Sequence, residues 1–244
     1  MTEYRQKLKY FLVTTVTFWL IGAGCAPKTY RMHPQFGVHC KNIESYGLVQ
    51  PEVEVCEITA GGMREIRDEW CDLGRKNIIA ALDDTLTARQ INFKKISVDS
   101  VSLGEWKDIY ALYKAVSQSI RVHTNGGPHV FPEKVKNFEY SIGAIDRIIQ
   151  KYNCDSLIIV YASDEISTAG RKALMGLGAI AGAFTGVVVM PRGGATTLNI
   201  AVVDSSGDVL WYNSKTLGGY DLRDPGSAWK LVESIALDFP ECQK

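Results

Sequence analysis

From Pro51 onward the apolar positions switch repeatedly between a spacing of two and a spacing near 3.6 residues. Glu52-Val53-Glu54-Val55-Cys56-Glu57-Ile58 alternates as a half-buried strand does. Beyond Gly61-Gly62 the pattern turns helical, with Ile66, Trp70, Leu73, Asn77, Ala80 or Ala81 and Leu86 assigned to one face. Asn92 to Val98 is a second strand, and Leu103 to Val122 a second amphipathic helix carrying Trp106, Ile109, Tyr110, Tyr113, Val116 and Ile120. Thr124-Asn125-Gly126-Gly127-Pro128 breaks that helix. A third helix is expected from about Phe138 to Tyr152, followed by the buried central strand Asp155 to Ala162. Thr196 to Val203 and Val209 to Tyr212, separated by Asp204-Ser205-Ser206-Gly207-Asp208, predict a hairpin. Ser227 to Phe239 predicts a last helix with Trp229, Leu231, Val232, Ile235 and Leu237 apolar, led by Pro225-Gly226 and closed by Pro240. Helices alternating with strands imply an α/β fold with helices packed on a single mixed sheet.

Two stretches stand apart from this body. Residues 1–24 combine a basic start (Arg5, Lys7, Lys9), an apolar run from Tyr10 to Ile21 and the small residues Gly22, Ala23 and Gly24 before Cys25. That is the plan of a lipoprotein export signal, in which Cys25 is acylated and becomes the first residue. Gly22 stands where such motifs usually carry an aliphatic residue. The apolar run falls short of the ~20 residues that span a bilayer, so an uncleaved anchor fits less well. Residues 25–50, with their prolines and glycines and little periodicity, read as a tether, which leaves 51–244 as the folded domain.

The second stretch is an apolar, glycine-rich insertion over residues 173–191, free of charged side chains and flanked by Arg171, Lys172 and Arg192. Gly178, Gly182 and Gly186 recur at four-residue intervals, which on a helix makes a smooth stripe for close approach of a second backbone. In water each costs such a helix roughly 1 kcal/mol relative to alanine. Three readings stay open. The segment is a membrane or self-assembly element, or a buried helix or loop followed by a Val187-Val188-Val189 strand, or a phosphate cradle. The last lacks the Lys-Ser/Thr of a P-loop and an acidic ribose partner.

Composition narrows the function. Acidic and basic residues balance at 27 each, and removing the signal takes away three cations and one anion, so the mature chain is slightly acidic. Without a Lys/Arg cluster, a nucleic-acid partner is not expected. An oxidising compartment favours disulfides. With Cys25 acylated, Cys40, Cys56, Cys71, Cys154 and Cys242 remain, an odd number without a C-x-x-C, and their pairing is not readable. Cys56 and Cys71 also suit buried small side chains.

Catalytic constellations are missing from the pattern. There is no G-x-S-x-G or H-E-x-x-H. His33 and His39 fall in the expected tether, and His123 and His129 flank a Gly-Pro loop, without a recognised metal-ligand spacing. Asp164 and Glu165 follow the central strand, where α/β proteins often bind ligands, or else form a solvated strand end. Neither an enzyme nor a cofactor is expected from these residues.

The lipobox, the Pro-led first strand, the Trp-bearing helix, the run Cys154-Asp155-Ser156-Leu157-Ile158-Ile159-Val160 and the hairpin from Leu198 to Trp211 together resemble bacterial envelope lipoproteins. The group has the fold of the TolB amino-terminal domain and includes the curli secretion lipoprotein and the lipoprotein activators of peptidoglycan synthases. The resemblance covers about residues 51–239. It implies structural roles for Asp204, Gly207 and Trp211 in the hairpin. It further implies an outer-membrane lipoprotein facing the periplasm, since Ala26 and not Asp follows the acylated cysteine. The expected partners are the membrane, through Cys25, and envelope proteins in an assembly or transport complex. Copies of the chain itself are a further expected partner, if residues 173–191 act as a membrane-inserted secretion element through Gly178, Gly182 and Gly186. The spanning strand pairs of the secretion channel have no counterpart here. An envelope polysaccharide enzyme using Asp164 or Glu165 is the remaining alternative.

Overall fold

A twelve-residue strand, Ser156–Ser167, is the spine of a mixed eight-stranded sheet. The computed structural model describes residues 30–98, 103–125, 128–186 and 193–240. Among these the strands are β1 (Tyr30–Met32), β2 (Tyr46–Val49), β3 (Glu52–Ile58), β4 (Arg64–Ile66), β5 (Phe93–Ile96), β6 (Ser156–Ser167), β7 (Thr196–Asp204) and β8 (Val209–Leu217). The helices are α1 (Phe36–His39), α2 (Asp68–Ala88), α3 (Leu103–Thr124), α4 (Pro132–Lys136), α5 (Asp146–Tyr152), α6 (Ala169–Thr185) and α7 (Pro225–Ala236). This is the single mixed-sheet α/β domain that the alternation of elements predicts.

The strand order is β1-β8-β7-β6-β2-β5, with β3 continuing β2 along the same side of β6 and β4 pairing antiparallel to β3. β2 and β3 both run parallel to β6, but their registers differ by one residue, from Leu48 opposite Ile158 to Glu52 opposite Tyr161. The extra residue lies around Pro51, which has no N–H to give to a ladder. A shift of one residue exchanges the two faces of a strand. Leu48 therefore shares a face with Val53 and Val55, and Glu52 and Glu54 turn to the opposite one.

Each face of the sheet carries its own core. α2 and α7 cover one face, burying Ile78, Leu82, Leu86, Leu231, Val232 and Ile235 against Val55, Val160, Ile200 and Val202. Gly74 brings α2 close, since a Cβ there would lie 3.1 Å from Val53 Cγ1. α3 and α5 cover the other face, with Trp106, Ile109, Tyr113, Ile120 and Ile148 over Leu157, Ile159, Ala201 and Tyr212. Side chains tie distant chain segments to the helix ends. Arg89 donates to the carbonyls of Ala236 (2.6 Å), Leu237 (3.1 Å) and Phe239 (3.0 Å) at the end of α7. Arg31 reaches the Thr124 carbonyl at the end of α3 at 2.5 Å.

Four expectations are corrected. The described part of the tether, residues 30–50, belongs to the fold: β1 pairs with β8, and β2, buried throughout, lies between β5 and β6. The buried face of α2 is Cys71, Gly74, Asn77, Ile78, Ala81, Leu82 and Leu86, so Asn77, Ala81 and Leu86 lie where expected, whereas Ile66 belongs to edge strand β4 and Leu73 points outward. The helix expected from Phe138 starts only at Asp146. Before it the chain wraps the β7–β8 turn, with Gly143 at φ +82° and the Ile142 and Ile145 amides donating to Gly207 and Ser205. Trp229, expected on the apolar face of the last helix, is exposed.

Candidate functional site

On the α3 side of the sheet the apolar surface ends abruptly and is replaced by two polar rows. The row Ile159–Ala201–Tyr212 belongs to the core. The next row towards the end of β6 is Glu52–Tyr161–Asn199–Ser214, and the one after it Glu54–Ser163–Thr197–Thr216, each read across four strands in register. The register shift at Pro51 aligns the two glutamates with these rows. Together with α3 the rows enclose a cleft of about 680 Å³ lined by Lys114, Arg121, Tyr161, Asn199, Ser214 and Thr216, among others.

Hydrogen bonds fix the floor of the cleft. The buried Tyr113 hydroxyl donates to Asn199 Oδ1 at 2.7 Å, Ser117 Oγ and the Tyr212 hydroxyl lie 2.8 Å apart, and the Thr197 and Thr216 hydroxyls 3.0 Å apart. At the β3 side the Lys114 ammonium bonds Glu54 and Glu52 and lies 4.9 Å from the centre of the Tyr161 ring. Burial opposes its charge, but the two carboxylates outweigh burial and raise its pKa. Burial also pushes the Tyr161 hydroxyl, which donates to Glu54, up to about 12. Sequence reasoning missed this cleft, although it placed Tyr113 on α3 and Leu198 and Ile200 on β7. The only local trace is Asn199, the polar residue between those two apolar ones.

The apolar insertion occupies the same end of the sheet. Its first part is α6, which leaves β6 through Thr168, and the chain returns at Gly194, where a Cβ would lie 1.7 Å from the Glu165 carbonyl oxygen. No described residue from Lys172 to Gly186 is buried. Leu174, Leu177, Ile180 and Phe184 are exposed by 45, 63, 59 and 87%. Among its described residues the segment is therefore not a buried helix, and Val187-Val188-Val189 lies outside the described residues. Gly178 and Gly182 lie on α6, and Gly186 follows it at φ +73°. Among the described residues no helix is long and apolar enough to cross a membrane.

The remaining predicted residues separate into structural roles. Asp204 and Gly207 form the β7–β8 turn, where Asp204 Oδ1 accepts from the Ser206 hydroxyl (2.6 Å) and the Asp208 amide (3.0 Å). Trp211 is fully buried against Phe239, ring centres 5.2 Å apart. Asp164 is not at a solvated strand end. It is 1% exposed and bonds Thr196 and the Leu222 amide, and Glu165, on the opposite face, pairs with Arg64 at 3.1 Å. The pair therefore does not converge on one site. His39 Nδ1 lies 3.0 Å from Asp204, His123 meets the Tyr140 hydroxyl at 3.0 Å, and His129 lines the cleft. Among the described residues no group of three or more His, Cys, Asp and Glu is placed to hold a metal ion. Cys56, Cys71 and Cys154 are free and buried, and Cys40 is disulfide-bonded to a residue outside the described ones. Cys25 also lies outside them. No family model matches the chain, and no curated protein matches it either.

Proposed function

We propose that the chain is a non-enzymatic lipoprotein of the outer membrane, acylated at Cys25, whose periplasmic domain serves as an accessory or scaffold in an envelope assembly or transport complex. The observation that carries this reading is α6. Burying a Leu, Ile or Phe side chain is worth ~1.5–3 kcal/mol, and this helix leaves four of them in water. Contiguous apolar surface of this kind on a folded domain marks a contact surface. The resemblance to TolB amino-terminal-domain-like envelope lipoproteins agrees with it.

A second reading, in which α6 engages the membrane or other copies of the chain, draws support from the direction of β1. Tyr30 pairs with Asn213 and Met32 with Trp211, so β1 begins on the side of β8 that leads to Leu217. Leu217 pairs with Thr196, which pairs with Asp164 near the end of β6, where α6 departs. From Cys25 to Tyr30 the chain spans at most about 18 Å. An acylated Cys25 therefore holds this end of the sheet, and the ~25 Å length of α6, close to the lipid.

Site-specific photocrosslinking from position 184 of the acylated protein in intact cells tests both readings. The scaffold reading expects one envelope protein to be captured, with capture abolished by Leu177→Glu while the unfolding midpoint is unchanged. Crosslinks only to lipid or to a second copy favour the other reading. Absence of acylation at Cys25 by mass spectrometry overturns both.

A further inference from the structure

The polar cleft contains a buried group whose hydrogen bonding the protein leaves incomplete. Asn199 is 1% exposed, its Oδ1 accepts from Tyr113, and its Nδ2 has no acceptor among the described residues. The Nδ2 atom itself is not one of the wholly buried polar atoms left without a partner, so it stays accessible from the cleft that Asn199 lines and is placed to donate into it. Arg121, exposed on α3, lines the same cleft and makes no ion pair among the described residues. Lys114 is different, since Glu52 and Glu54 already neutralise it at the opposite side. No Asp or Glu lines the cleft itself. The hydroxyls of Ser163, Ser214 and Thr216 line the cleft with these cations.

We infer that this cleft binds an acidic saccharide of about disaccharide size. The unpaired guanidinium of Arg121 and the Nδ2 of Asn199 supply donors for the carboxylate, and charge-assisted bonds of this kind are about twice as strong as neutral ones. The hydroxyl rows suit the ring hydroxyls of a sugar, and Val122, Pro128 and Tyr161 give its apolar ring faces a surface to lie on. The volume, about 680 Å³, falls within the ~300–1,000 Å³ of small-molecule sites. The site is independent of α6 and of acylation at Cys25.

Calorimetric titration of the acylated protein in mild detergent tests the inference with three probes: a glucuronate-containing disaccharide, the same disaccharide with its carboxylate reduced to an alcohol, and inorganic phosphate. The acidic disaccharide is expected to bind saturably with one site per chain, and the neutral one and phosphate at least about tenfold more weakly. Arg121→Gln, at an exposed position, should weaken acidic disaccharide binding about tenfold or more and leave the unfolding midpoint unchanged. Asn199→Asp keeps an acceptor for Tyr113 but turns a carboxylate into the cleft, and should abolish binding of the acidic probe. No saturable binding, equal affinity for the neutral disaccharide or for phosphate, or an unchanged affinity in Arg121→Gln each overturns the inference.

Discussion

Gly207 approaches Gly143 so closely that a Cβ on Gly207 would lie 1.9 Å from the Gly143 carbonyl oxygen. Both residues have positive φ, +85° and +82°, and the contact locks the 138–145 segment around the β7–β8 turn. Gly207→Ala meets a backbone atom, which cannot rotate away, as well as an unfavourable φ. The variant should lose about 2–4 kcal/mol in denaturant unfolding, far beyond the cost of an ordinary loop substitution.

Asp164 joins β6 to the loop before α7, accepting from the Thr196 hydroxyl at 2.8 Å and from the Leu222 amide at 2.9 Å. Burial raises its carboxyl pKa and outweighs both bonds. The folded chain then holds this proton more tightly than the unfolded chain does. Its contribution to stability is greatest below the unfolded carboxylate value of about 4 and falls as pH rises through the higher folded value. Asp164→Asn should remove that slope. Its amide can donate to Thr196, whose own proton can go to the Tyr220 carbonyl at 3.0 Å, so the cost at neutral pH should stay within about 1 kcal/mol. Asp164→Ala, which strands the Leu222 amide, should cost about 2–3 kcal/mol. Urea unfolding of the three proteins across the acidic range checks the order and the slope.

Arg89 bonds three carbonyls at and beyond the end of α7, where the chain has no further helical turn to satisfy them. Arg89→Met keeps the aliphatic stem and removes the donors. Thermal unfolding should fall by the equivalent of about 1.5–3 kcal/mol.

Cysteine accounting gives a chemical check on the anchor. Of six cysteines, Cys56, Cys71 and Cys154 are free and Cys40 is disulfide-bonded, which leaves Cys25 and Cys242 as its available partners. If Cys25 is acylated, peptide mapping without reductant should recover Cys40 joined to Cys242. A Cys40–Cys25 peptide would remove the basis for lipid attachment.

The buried centre of the fold was legible because β6 and the β7–β8 hairpin announce themselves locally, through an unbroken apolar run and a turn of Asp, Ser and Gly. β2 was not. Its four residues, Tyr46 to Val49, are too few for periodicity to register, and only burial between β5 and β6 makes them a strand. The face of α2 was legible only in part, through Asn77, Ala81 and Leu86, because Ile66, which lies in β4 before the helix starts at Asp68, extended the apparent stripe. The cleft could not be read at all, since Glu52, Tyr161, Asn199 and Ser214 become neighbours only through three strand registers and the irregularity at Pro51. For α6 the sequence revealed the absence of charge, whereas the outward direction of Leu177 and Phe184 is a property of packing.

The outermost position of β1 has a mechanical meaning if the chain is tethered at its beginning. Tension arriving at Tyr30 acts along β1, so the hydrogen bonds to β8 are strained together in shear and do not open one after another as a zipper would. Arg31, clamped on the last turn of α3, passes part of that load to the layer of helices behind the sheet. A strand of three residues thus serves as a strain relief, spreading force over two layers before it reaches the centre of the domain.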